Sequence, residues 1–242
     1  MLQNKISILS TRPFEKDELK HLPSNFIVDE MAFIETKNII DEIKEKEIIS
    51  LAHQKRNIVF TSMNAAEAIV AVLKKNNLHP DWEIFCLGNA TKNILQHWFE
   101  EKNIYSNGNN AFELAQFIIQ RQMNDVVFFC GNVRRNELPE MLAAMGITVN
   151  EIVVYETIEI ENSIHKNYDG ILFFSPSAVR SFFSSNKISP DSILFAIGVT
   201  TESEIKKYTG NTVEVANATS KEKLLNQSIQ YFQTKIFNQA NA

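Results

Sequence analysis

Glycine and proline are scarce in this chain of 242 residues, seven and six respectively, and cysteine occurs only twice. Seven glycines leave little room for a nucleotide-binding loop, and neither GxxxxGK[ST] nor GxGxxG is present. The GxSxG elbow of many serine hydrolases is missing too. Cys86 and Cys130 each lie inside an apolar, strand-like run, where buried reduced thiols are the expectation. The five histidines (His21, His53, His79, His97, His165) show no paired spacing and no neighbouring acid or cysteine in ligand register, so no metal is expected. No stretch collects basic residues: 24 Lys and Arg stand against 29 Asp and Glu, a net charge of −5, which argues against a nucleic-acid partner. No apolar run approaches the length of a membrane span, and the start, Met1 to Leu9, reads as a strand rather than a signal peptide. With reduced thiols, these absences imply a cytoplasmic protein without a membrane partner.

What is present is a 44% apolar chain, enough for one large or two modest cores. The runs Asn57–Phe60, Glu83–Leu87, Val126–Phe129, Ile171–Phe174 and Ile193–Ile197 are apolar at every alternate position of both faces, as parallel strands covered by helices are. Between them, Ala65–Leu73 and Phe112–Ile119 carry aliphatic residues at spacings of three and four, which predicts helices. The alternation predicts an α/β fold with parallel sheets. It also repeats. Ile84–Thr91 resembles Leu194–Thr201, Gly88 and Thr91 lying 110 residues before Gly198 and Thr201, and Phe60-Thr61-Ser62 matches Phe173-Phe174-Ser175 with a slip of three. The first copy ends on a strand running into Gly131-Asn132-Val133-Arg134-Arg135, which the second lacks; the N-terminal Ile8–Pro13 is the candidate to supply it. The expected organisation is therefore a discontinuous lobe, 1–30 plus 161–242, an inserted lobe, 36–152, and two hinge strands, 31–35 and 153–160, forming a two-stranded β linker.

Ligands of open α/β sheets bind beyond the carboxyl ends of the strands. Here those ends read Ser10-Thr11-Arg12, Thr61-Ser62, Gly88–Thr91, Gly131-Asn132, Ser175-Pro176-Ser177 and Gly198–Thr201. Small and hydroxyl residues are expected to cap the helices that follow and to leave first-turn N–H groups for anions. Any one junction is better explained by capping alone; six over two lobes point to a binding cleft. Arg12 and Arg134 sit at equivalent turns, where a ligand role and an ordinary exposed arginine are both compatible with the sequence. Tyr155, in Val153-Val154-Tyr155-Glu156-Thr157, is either a packing residue or a cleft-facing phenol.

Taken in order, Ser10–Pro13, Val59–Ser62 with Ala65, Gly88–Thr91, Gly131–Arg134 with Leu138, Leu142 and Gly146, Val154–Thr157, Phe174–Ser177 and Ala196–Gly198 with Thr200-Thr201 resemble uroporphyrinogen-III synthases along essentially the whole chain. That resemblance implies two α/β lobes, one discontinuous, on a two-stranded linker. It implies a cofactor-independent hydro-lyase that cyclises hydroxymethylbilane to uroporphyrinogen III with inversion of ring D. It implies Tyr155 as the proton donor and Ser62, Thr91, Ser175, Thr201 and Ser220 as substrate-binding hydroxyl positions, beside Arg12, Gly131, Arg134, Ser177 and Gly198 from the strand ends. Two adjacent arginines leave open whether Arg134 or Arg135 makes the contact. A monomer that receives its small-molecule substrate by transient hand-off from hydroxymethylbilane synthase completes the expectation. The rivals are a non-catalytic two-lobed polycarboxylate sensor, which shares the strand-end features, and a response-regulator-like pair, which would need acidic clusters where Ser, Thr and Gly stand.

Overall fold

A parallel strand with helices on both sides must hide both rows of side chains, and the apolar runs above do so. The computed structural model describes residues 5–240 apart from 16, 107, 109, 218 and 219. Its first elements are β1 (Ile6–Ser10), β2 (Phe26–Glu30), β3 (Ile34–Asn38), α1 (Glu42–Ala52), β4 (Arg56–Phe60), α2 (Met63–Lys75), β5 (Trp82–Cys86), α3 (Asn89–Gln96) and β6 (Ile104–Tyr105). There follow α4 (Ala111–Gln120), β7 (Asp125–Gly131), α5 (Glu137–Ala144), β8 (Thr148–Glu159), β9 (Gly170–Phe173), α6 (Pro176–Ser185), β10 (Ile193–Ala196), α7 (Val199–Ile205), β11 (Val213–Val215) and α8 (Lys221–Ala240). The chain divides into two compact units, Met1–Glu35 with Ile158–Ala242, and Thr36–Thr157, so both divisions fall inside strands, β3 and β8. The segment expected as a hinge strand, 31–35, is not one strand. β2 ends at Glu30, β3 begins at Ile34, and Phe33 between them is fully buried in the core of the first unit. Residues 31–33 lie between the two strands. No helix among the described residues is long and apolar enough to cross a membrane.

The continuous unit is a six-stranded sheet in the order β3-β8-β7-β4-β5-β6, with parallel pairing from β8 through β6. Ile58, Phe60, Ile84, Cys86, Val127 and Phe129 point to one face, under α1, α2 and α3. Val59, Phe85, Val126, Phe128 and Cys130 point to the other, under α4 and α5. Each such side chain removed from water contributes roughly 1.5–3 kcal/mol, and period-two alternation with two buried faces leaves no room for a polar row. Both cysteines are buried and unpaired.

The discontinuous unit is a five-stranded sheet in the order β11-β10-β9-β1-β2, parallel throughout. Leu9, Ile171, Phe173 and Leu194 meet α6 and α7 on one face, while Ile8, Leu172, Ile193 and Phe195 meet α8 on the other. The two sheets share one plan: β9, β10 and β11 correspond to β4, β5 and β6, so β1 takes the position of β7 and β2 that of β8. The strand missing after the second copy is supplied by the N-terminus, so the order along the chain differs, and β3 has no counterpart in the five-stranded sheet.

One polar cluster ties β2 to the segment before β9. The Asp29 carboxylate accepts from Lys166 Nζ at 2.6 Å and from the Tyr168 hydroxyl at 2.9 Å. The Lys166 contact, against some cost of burial and with help from Tyr168, holds the Asp29 carboxyl below its ordinary range. A depressed carboxyl stabilises the fold above its unfolded value and loses that contribution as pH falls through the folded value. Tyr168 behaves oppositely: burial and then Asp29 push its phenol up to about 12, so stability declines as pH rises from its ordinary 10.0 toward that value. Asp29→Asn is expected to flatten the acid limb of melting temperature against pH; an acid limb identical to the parent's would show that the pair contributes nothing.

Candidate functional site

The strand ends were expected to cap their helices with hydroxyls, and two of them do. Ser62 precedes α2 with an extended backbone and its Oγ accepts from the Ala65 amide at 3.2 Å; Ser175 does the same for α6 through the Ala178 amide, also at 3.2 Å, with Pro176 opening the helix. Such a cap contributes about 1 kcal/mol. The caps of α3 and α7 are instead Gly88 and Gly198, neither with a side-chain bond. Gly88 adopts φ +79°, a left-handed conformation that favours glycine. Thr91 and Thr201 are the third residues of those helices and are almost wholly buried, so they do not cap. Among the described residues no helix follows β1 either. There the Thr11 hydroxyl donates to the Leu172 carbonyl at 2.8 Å and the Ser10 hydroxyl to that of Arg12, whose own side chain is exposed. Ser177, the second residue of α6, is buried and accepts from Arg180 Nη2 at 3.2 Å. Ser220 directly precedes α8, its Oγ 3.5 Å from the Lys223 amide.

In the continuous unit the carboxyl ends of β4, β5 and β7 open onto a cleft of about 370 Å³. Ser62, Gly131, Arg134 and Tyr155 line it, four residues singled out from the sequence; Thr91 does not. Arg12, Ser175, Ser177, Gly198, Thr201 and Ser220 belong to the other unit. Thr61, Leu87, Asn110 and Val133 also line the cleft and were not chosen as site residues. Asn110 had a legible signal: it stands three residues before Glu113, and it caps α4 by accepting from the Glu113 amide at 2.9 Å while donating to that carboxylate at 3.1 Å. Arg135 lines the cleft as well, so both arginines reach it.

Tyr155 owes its place to an irregularity. Along β7 and β8, Cys130 pairs with Val153 but Gly131 with Tyr155, so β8 carries one extra residue, Val154, and the Asn132 amide then donates to the Tyr155 carbonyl at 3.1 Å. A bulge of this kind re-aims the side chain after it. Val149 and Val153 pack on the α4–α5 face, whereas Tyr155 joins Ile152 and Val154 on the opposite one, where strict alternation would not put it. The ring then lies directly over Gly131: a Cβ built there would stand 2.5 Å from Tyr155 Cζ and 2.8 Å from its hydroxyl oxygen. Only glycine permits that approach. A second cavity of about 260 Å³, lined by Thr36, Lys37, Asn64 and Glu67 among others, also borders Tyr155.

One guanidinium of the cleft is already paired within the chain. Arg134 Nε donates to the Glu151 carboxylate and Nη1 to Asn136 Oδ1. Burial, reinforced by the Glu151 charge, pushes the nearby Cys130 thiol up to about 11, so it stays protonated and unreactive at neutral pH. What the cleft offers is a phenol, hydroxyls, guanidinium donors and an apolar wall.

Comparison with known proteins agrees with this architecture. The model of the family described as uroporphyrinogen-III synthase HemD matches residues 24–226. Among solved structures, uroporphyrinogen-III synthetase from Helicobacter pylori aligns with a TM-score of 0.63 at 17% identity, covering 93% of this chain and 99% of that one. A mutant uroporphyrinogen III synthase from Thermus thermophilus aligns at 0.64 and 12% identity, covering 95% and 99%. At such identities the structural likeness speaks for the fold alone; the family model, spanning most of the sequence, makes this chain a member of the uroporphyrinogen-III synthase family.

Proposed function

We propose that the chain catalyses the cofactor-independent cyclisation of hydroxymethylbilane to uroporphyrinogen III, a hydro-lyase reaction of tetrapyrrole and heme biosynthesis. Besides family membership, the observation that carries the residue-level reading is the Tyr155 phenol, held over Gly131 in a cleft shared with Ser62 and Arg134. The Tyr155 hydroxyl gives its proton to the ring A hydroxyl, which leaves as water and generates an electrophilic azafulvene. Ring D attacks through its substituted carbon, the spiro intermediate fragments, and reclosure inverts ring D. The final rearomatisation releases a proton, which restores the phenol.

The bilane closes unaided to the uninverted isomer I, so reactivity is not the obstacle. What the protein must supply is geometry, with one general-acid step. The substrate carries eight carboxylates, which suits several dispersed donors, and Arg134, Ser62 and Gly131 line one cleft. Hydrogen bonds to a charged partner contribute roughly 1.5–3 kcal/mol each, so a few of them reach the roughly 8 kcal/mol of micromolar affinity without a basic patch. A cytoplasmic monomer that takes the bilane from hydroxymethylbilane synthase fits this chemistry. The test is isomer analysis: generate the bilane in situ with its synthase, add the protein, oxidise, and separate the porphyrins. Isomer III rising with protein concentration is the expected result; isomer I alone, with folded protein in excess, would remove the synthase reading.

A further inference from the structure

Arg134 stands in the turn after β7 and lines the 370 Å³ cleft together with Ser62, Gly131 and Tyr155. Its guanidinium is already held by the chain: Nε donates to Glu151 and Nη1 to Asn136. A guanidinium has five N–H groups, so these two contacts, through Nε and Nη1, use only part of its donors and leave Nη2 outside both. Glu151 lies on β8, opposite Phe128 of β7 and four residues before Tyr155, and it is not part of the cleft lining. The Arg134 and Glu151 side chains are 28% and 25% exposed, drier than an ordinary surface pair.

An exposed ion pair that faces only solvent contributes little. This one restrains an arginine that lines a cavity, and restraint matters because a long side chain ordered beforehand loses less freedom on meeting its ligand. We propose that Glu151 and Asn136 are positioning residues that orient Arg134 so that Nη2 meets a carboxylate of the substrate. The inference rests on the polycarboxylate reading above and adds the residues that aim its cation.

The test compares Glu151→Ala, Glu151→Gln, Asn136→Ala, Arg134→Ala and the Arg134→Ala/Glu151→Ala double variant. Two readouts are taken: kcat and KM for isomer III formation, and calorimetric binding of uroporphyrinogen III kept reduced, which needs no turnover. Glu151→Ala is expected to weaken binding and raise KM about tenfold, the factor equivalent to about 1.4 kcal/mol, with kcat held within about twofold. Glu151→Gln keeps an oxygen for Nε and should lose less. On the Arg134→Ala background, removing Glu151 should cost nothing further. Unchanged or tighter binding in Glu151→Ala, or an equal extra loss in the double variant, overturns the proposal. Should Glu151→Ala fold poorly, Glu151→Gln and Asn136→Ala give the same reading. Wild-type protein that makes only isomer I defeats the synthase reading, whereas the binding arm judges the Arg134 contact separately.

Discussion

Tyr155→Phe is expected to slow isomer III formation about 100-fold while leaving substrate affinity within a few-fold, the low end of what losing a general acid costs. The substitution keeps the ring, so the packing over Gly131 and against Ile152 and Val154 survives and only the proton is lost. Product composition gives a second readout: a slowed enzyme competes poorly with spontaneous closure, so the porphyrin mixture shifts toward isomer I. kcat and KM measured separately at matched protein concentration decide the matter. If the variant turns over at the parental rate, Tyr155 is not the acid.

Gly131→Ala should do nearly as much damage without touching any functional group. The added methyl would lie 2.5, 2.6 and 2.8 Å from three atoms of the Tyr155 side chain, too close for any real contact, so the ring has to move. Overpacking of this kind costs about 1–3 kcal/mol, at roughly 2–4 °C per kcal/mol for a chain of this length. The kinetic penalty is expected to be larger, since a displacement of about 1 Å in a reacting group can cost about 100-fold. The expected signature is a folded protein, melting a few degrees lower, with kcat reduced by at least about tenfold. Parental turnover would mean that Tyr155 need not sit over residue 131.

What could be read beforehand, and what could not, divides along physical lines. β4, β5, β7, β9 and β10 are central parallel strands, buried on both faces, and their sequences are therefore continuous apolar runs. β6, of two residues, and β11, of three, are edge strands, too short to leave a pattern. That Phe33, between β2 and β3, belongs to a core is a tertiary effect with no local signature. At the site, Ser62 and Ser175 were legible because a cap is a local event. The burial of Thr91 and Thr201 was not legible, because glycine takes the cap and the threonine enters the first turn. The meeting of Gly131 with Tyr155 depends on one extra residue in β8, and no spacing along the chain announces a bulge. Arg134 was visible as an arginine at a strand end, whereas its tether to Glu151 lies seventeen residues away across a strand pair.

The permuted order of the five-stranded sheet also bears on how the polypeptide comes off the ribosome. β1 pairs with β2 and with β9, and its register partner for Ile8 on the latter is Gly170. Residues 6–30 are therefore synthesised early but have only each other to pair with until about 170 residues have been made, and two parallel strands alone make no stable sheet. The 36–157 segment contains every strand of its own sheet except the start of β3 and the end of β8 and can close as soon as β8 emerges. Nascent-chain folding should accordingly begin in the middle of the sequence, with the N-terminal strands held back as exposed apolar segments and candidates for chaperone contact.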